Sequence, residues 1–210
     1  MINENRDTAY YEKKFQYLCG VDEAGRGPWA GPVCCAAVIL PIDHRIEGIQ
    51  DSKKLSEHMR EKLYKEITHK ALAYHITSVS NIIIDKKNIL QATLFGMKKS
   101  VQSLNITPDI ILLDAVNISL PDIPQVNIIH GDQKSIHIAA ASILAKVTRD
   151  RYMKKIDKKY PEYGFYQHKG YGTKQHEQAL KQYGACPIHR HSFLPVKNVI
   201  NLHQSSESSP

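Results

Sequence analysis

A chain of 210 residues with 42% apolar content can bury the core of one domain, and 28 Lys and Arg against 21 Asp and Glu leave a formal charge of +7, with 11 His besides. That moderate excess suits a polyanionic partner without demanding one. Met1 to Lys14 is polar and charged, the longest apolar run (Val33 to Ile42) is too short for a bilayer and contains Pro41, and Cys19, Cys34, Cys35 and Cys186 form no CxxC pair. A secretory leader, a membrane span, a cysteine zinc site and a disulfide framework are therefore not expected, and a cytoplasmic location is the default.

In chain order, residues 1–15 read as a flexible N-terminal arm, 16–203 as a single domain, and the serine-rich 204–210 as a disordered tail. Tyr17 to Val21 leads in as a short strand and is followed by Asp22 and Glu23, where a strand normally carries β-branched or aromatic residues. Adjacent carboxylates repel, and a hard divalent cation offsets this best, because Mg²⁺ takes a few carboxylate oxygens and keeps its other positions for water and phosphate. Neighbouring strand residues point to opposite faces, so both acids can serve one site only if the strand ends or bulges there. Gly25 and Gly27 let the backbone approach a ligand closely, and Arg26 between them brings a fixed cation. The bland alternative is a tight turn with two surface acids.

Val33 to Leu40 reads as a second strand, antiparallel to the first. Ser56 is placed to cap a helix from Glu57 to about Lys70, and before it Lys53 and Lys54 stand beside Asp51 and Ser52, where they could hold a phosphate or merely face solvent. Ala73 to Val79 alternates as a strand, and Ser80 to Asn105 reads mainly as a helix. Ile110 to Leu113 is an apolar run closed by Asp114, and Val126 to Ile129 is another that delivers His130-Gly131-Asp132. An aspartate ending a buried strand is costly unless paired or metal-bound, and open α/β sheets collect ligands beyond their strand ends. Three strand ends thus carry Asp22 with Glu23, Asp114 and Asp132.

A long helix is expected from Ile136 to Lys159, thin at Ala139 to Ser142 for close packing on the sheet, with Lys146, Arg149 and Arg151 read mostly as solvated cations. Gly164 to Thr173 is a loop rich in Tyr, Gly, His and Lys, which suits sugars, bases and phosphates or simply covers the core. Lys174 to Tyr183 is the last expected helix.

Five blocks carry a resemblance: Gly20 to Pro28 with Ala30-Gly31-Pro32, Asp51 to Leu55, Ala139 to Asp150, Lys169 to Thr173, and His189-Arg190. In this order the sequence resembles ribonuclease HII over nearly its whole length. The resemblance implies an α/β, ribonuclease H-like fold, a mixed five-stranded sheet flanked by helices with a small helical C-terminal region. It also implies a metal-dependent endonuclease that cuts 5′ to a ribonucleotide in RNA/DNA hybrids or at single ribonucleotides in duplex DNA. By motif, Asp22, Glu23, Asp114 and Asp132 match the catalytic, metal-binding carboxylates for Mg²⁺ or Mn²⁺, two ions during catalysis. Gly25, Arg26 and Gly27 match the loop that reads the ribose 2′-hydroxyl, and Tyr171 the aromatic that packs on the following deoxyribose. Lys53, Lys54 and Lys146 are further substrate-binding candidates, and residues 161–203 the substrate-contacting region. Ala115 and His130 depart from the family's usual glycine and lysine. The expected partner is nucleic acid, with no membrane, and the expected state a monomer. The alternatives are another nuclease of the same fold, ribonuclease HIII or resolvase-like, or a non-catalytic nucleic-acid-binding protein; ribonuclease HIII should carry an extra N-terminal domain, and a binding protein should lack carboxylates.

Overall fold

The computed structural model describes residues 7–43, 46–49, 52, 55–114 and 116–207. Its centre is a sheet of β1 (Leu18–Ala24), β2 (Val33–Ile39), β3 (Ala73–Val79), β4 (Ile110–Leu113) and β5 (Gln125–Asn127), ordered β3-β2-β1-β4-β5. β2 is antiparallel to β1 and β3, whereas β4 and β5 run parallel to β1. This is the mixed five-stranded sheet that the resemblance implies.

β2 is apolar at every position because both of its faces are covered, as expected for a strand buried in the middle of a layered domain. Cys35, Ala37 and Ile39 pack with Ala92, Met97 and Val101 of α4 (Ile89–Gln102), while Ala36 and Val38 pack with α2 (Glu57–Lys70) and α6 (Ile136–Asp157). The run Ala139 to Ala141 is fully buried, and α6 lies so close to β1 that a Cβ on Gly20 would stand 2.1 Å from the carbonyl carbon of His137. Any larger residue at position 20 would push α6 off the sheet. The four cysteines are free and buried.

Ser56 caps α2, its hydroxyl accepting from Met59 N, a contact worth about 1 kcal/mol. The helix expected over 80–105 is two, α3 (Asn81–Lys87) and α4, because Asn88 turns to φ 68° and uses its side chain to accept from Gln91 N at the start of α4. β5 is shorter than the expected strand, and Asp132 sits not at a strand end but in the first turn of α5 (Gly131–Lys134), reached through a left-handed His130 with φ 58°.

Both termini depart from the sequence reading within the described residues. Residues 8–12 form α1 (Thr8–Glu12), and the buried Asp7 before it accepts through Oδ2 from the backbone N–H groups of Ile136 and His137 and pairs with His137 Nδ1 at 2.9 Å. This part of the arm caps α6 from 129 positions away. At the other end α9 (Leu194–Glu207) carries its helix through residues 204–207, where a tail was expected. Between them a 3₁₀ turn (Pro161–Tyr163), α7 (Phe165–His168) and α8 (Lys174–Tyr183) make the small helical C-terminal region. No helix among the described residues is long and apolar enough to cross a membrane.

Candidate active site

Of the two expected ways to bring both acids to one site, β1 uses the strand end rather than a bulge: the register to β2 continues regularly as Asp22↔Ala36 and Glu23↔Cys35 up to the strand's end at Ala24. The parallel register to β4 stops at Val21↔Leu113, so Asp22 and Asp114 are the next residues on two neighbouring strands, and β1 beyond Val21 has lost its neighbour on that flank. Both acids therefore reach one cleft from a regular strand end. Asp132 joins them from α5, and the cleft, about 270 Å³, is lined by all four carboxylates together with Gly25, Arg26, Gly27, Lys146, Arg149 and Tyr171.

Burial pushes the Asp22 carboxyl well above the usual carboxylate range, and the negative charges of Glu23 and Asp132 push it further, against hydrogen bonds from the Glu23 backbone and the Ser142 hydroxyl. Ser142 is itself held by Ser52 at 2.9 Å. A divalent cation inverts this balance, because its charge stabilises the ionised form that burial penalises. Among the described residues no three His, Cys, Asp or Glu already close around a metal-sized point. Hard-oxygen donors converging on an open cleft fit Mg²⁺ or Mn²⁺, which complete their shells with water and phosphate. Arg26 stands 3.6 Å from Glu23 at the rim.

Two buried arginines hold the glycine loop, and the sequence reading missed the first. Arg149, expected in solvent, is 1% exposed and donates from Nε to the Pro32 carbonyl and from Nη2 to that of Ala30. Arg190 is fully buried and donates to the carbonyls of Gly31, Arg26 and Gly25. Carbonyl partners keep a guanidinium hydrogen-bonded where water cannot reach. The Tyr171 ring lies 5.8 Å from the Arg149 guanidinium, and a Cβ on Gly27 would stand 3.7 Å from that ring. Lys146 pairs with Asp150 at 2.8 Å while lining the cleft, and Arg151 pairs with Glu61 on the outside, as a solvated cation does. Lys53, Lys54 and Ala115 lie outside the described residues.

Behind Tyr171, His176 and His189 are buried with their Nε2 atoms 3.0 Å apart. Burial pushes His176 down to about 4 and His189 to about 3, the latter lowered further by His176. Both are neutral in the fold, whereas the unfolded chain takes up these protons below about pH 6.5. Stability is thus complete above that pH and falls as pH drops towards 4, by roughly 3 kcal/mol for one such histidine. Urea midpoints measured from pH 7 to pH 4 should decline through this window; a flat profile would show that the pair is charged or exposed.

A carboxylate cluster across the ends of adjacent strands in a mixed sheet of this order defines a nuclease of the ribonuclease H-like fold. Residues 19–196 match the family model described as Ribonuclease HII. The chain is 58% identical over 186 residues to a ribonuclease HII of Ruminiclostridium cellulolyticum, covering 89% of this chain and 72% of that one, and 54% identical over 194 residues to one of Bacillus cereus, covering 92% and 75%. Its fold superposes on the crystal structure of the ribonuclease H2 from Pyrococcus horikoshii with a TM-score of 0.76 at 28% identity, covering 90% of this chain and 99% of that one. The chain belongs to the ribonuclease HII family, and is thereby a metal-dependent endoribonuclease.

Proposed function

We propose that this enzyme hydrolyses the phosphodiester on the 5′ side of a ribonucleotide, in RNA/DNA hybrids and at single ribonucleotides in duplex DNA, leaving a 3′-hydroxyl upstream and a 5′-phosphate on the ribonucleotide. The observation that carries this reading is the meeting of two different devices in one cleft: four carboxylates, and a glycine loop faced by Tyr171. Two divalent ions held by Asp22, Glu23, Asp114 and Asp132 would supply an activated water and charge stabilisation at the departing oxygen. The protein's own part is binding and selection. Gly25 and Gly27 keep the loop thin, so that backbone groups come close to the sugar, and only a ribose offers a 2′-hydroxyl that both donates and accepts. Arg26 and Lys146 set cations at the rim for phosphates, and the half-exposed Tyr171 presents a face to the next sugar.

The deciding experiment compares a DNA duplex bearing one ribonucleotide with the same duplex bearing deoxyribose or 2′-O-methyl ribose at that position. The first should be cut on its 5′ side and the others scarcely at all, although all three bind through their phosphates. Comparable cutting of the all-DNA duplex would make a general DNA nuclease the better reading, and binding without any turnover a non-catalytic one.

Arg26→Ala should remove a charge-assisted contact worth roughly 1.5–3 kcal/mol, or about one to two decades in kcat/KM. The loop should survive this change, because Arg190 grips position 26 by its backbone carbonyl rather than its side chain. A variant with unaltered kcat/KM on the single-ribonucleotide duplex would remove Arg26 from the substrate-binding set.

A further inference from the structure

Tyr171 lies at the cleft mouth on a turn in which Lys169 and Gly170 both have positive φ, 51° and 83°. Its backbone is fixed from behind. The Tyr171 carbonyl accepts from Thr173 N and lies 3.0 Å from His176 Nδ1, and since a carbonyl only accepts, His176 must carry its proton on Nδ1. The Nε2 atom of a neutral His176 is then bare and accepts from His189 Nε2 at 3.0 Å. That in turn leaves His189 Nδ1 bare, where it accepts from the Cys186 backbone N–H at 2.9 Å and faces the Cys186 thiol at 3.1 Å. His189 Nδ1 also lies 3.2 Å from the Cys186 carbonyl oxygen, a longer approach than the 2.9 Å bond from the Cys186 N–H and not a hydrogen bond in this tautomer, so the chain runs in one direction, from Cys186 through His189 and His176 to Tyr171. The residue after His189 is Arg190, which grips the carbonyls of Gly25 and Arg26.

We propose that His176 and His189 are positioning residues, which hold Tyr171 in register with the Gly25–Gly27 loop and so set the enzyme's preference for the junction between a ribonucleotide and the deoxyribonucleotide that follows it. One dipeptide, His189-Arg190, ties the two halves of the substrate reader together: the histidine reaches the Tyr171 backbone through His176 and the arginine the loop. This inference rests on the reading of Tyr171 as a substrate contact.

Two half-variants divide the chain at its middle. In His176→Asn the side-chain amide falls where Nδ1 was and still donates to the Tyr171 carbonyl, but loses His189. In His176→Gln the amide reaches the place of Nε2 and still meets His189, but leaves that carbonyl without its imidazole donor. The readout is the ratio of kcat/KM on a single-ribonucleotide duplex to kcat/KM on a uniform RNA/DNA hybrid. Tyr171→Ala should lower the ratio about ten-fold, His176→Gln should lower it similarly, and His176→Asn should keep it within about two-fold. Added to Tyr171→Ala, His176→Gln should lower the ratio no further, which a merely structural role would not produce. If Tyr171→Ala leaves the ratio unchanged, the reading of Tyr171 fails and the inference with it. If Tyr171→Ala lowers the ratio and a folded His176→Gln does not, the inference alone fails. Should His176→Gln not fold, ¹⁵N-histidine spectra of the unaltered protein decide: Nδ1–H on His176 and Nε2–H on His189 support the chain, and the opposite tautomer on either ring overturns it.

Discussion

Asp22→Asn and Asp132→Asn should each cut turnover of a single-ribonucleotide duplex by about a thousand-fold or more with saturating Mg²⁺, since a bound metal supplies several kcal/mol of transition-state stabilisation. The same substitutions should leave the metal-free protein as stable as before, or more stable. Burial above all, and then Glu23 and Asp132, pushes the Asp22 carboxyl upwards, so an amide of the same shape relieves both penalties without opening a hole. The two measurements, turnover with Mg²⁺ and thermal melting without it, must move in this pattern. Near-normal turnover in either variant would remove that carboxylate from the metal set, and a collapse in melting temperature would mean that it holds the fold instead.

Gly25→Ala is expected to be strongly destabilising. At φ 99° an L residue is strained, and the added carbon would lie 2.0 Å from Arg149 Nε and 2.9 Å from the Pro32 carbonyl oxygen. To admit it, Arg149 must leave the carbonyls it holds. The backbone strain costs about 1–3 kcal/mol and a hydrogen bond to a charged group about 1.5–3, so a loss of roughly 4 kcal/mol and a fall in melting temperature of about 10 °C are expected. A crystal structure or an amide spectrum should locate the disturbance at both the Gly25 loop and the side chain of Arg149. A variant that melts within about 2 °C of the parent would mean that the loop relaxes freely and that the arginine clamp is weak.

The site's carboxylates were legible because their positions make no sense as packing: acids closing apolar runs ask for a charge to meet them. The sheet was legible for the complementary reason, since runs such as Val33 to Leu40 and Ile110 to Leu113 can only be buried. What stayed hidden depended on partners distant in sequence. Arg149 looks like any helix-borne cation until the Ala30 and Pro32 carbonyls, more than a hundred positions earlier, are folded against it. Asp7 reads as part of a polar arm because its donors belong to the first turn of α6. Asp132 reads as ending a strand because the left-handed turn at His130, a conformation uncommon for any non-glycine residue, has no local signature. No bulge at Glu23 is needed, because a strand whose neighbour has ended already opens sideways, which is the strand-end alternative of the sequence reading.

α6 also works as a ruler. Ser142 bonds to Asp22 at the carboxylate end of the cleft, and Arg149 stands under the glycine loop at the other. Seven residues at about 1.5 Å each separate them by roughly 10 Å along the axis, and two turns bring them back to nearly the same face. Under the proposed roles, the spacing between the carboxylates and the glycine loop that reads the sugar is therefore set by a number of helical residues. Side chains along this segment can vary as long as they fit, but one residue more or fewer would rotate one end against the other by about 100°, so that chemistry and recognition no longer address the same nucleotide.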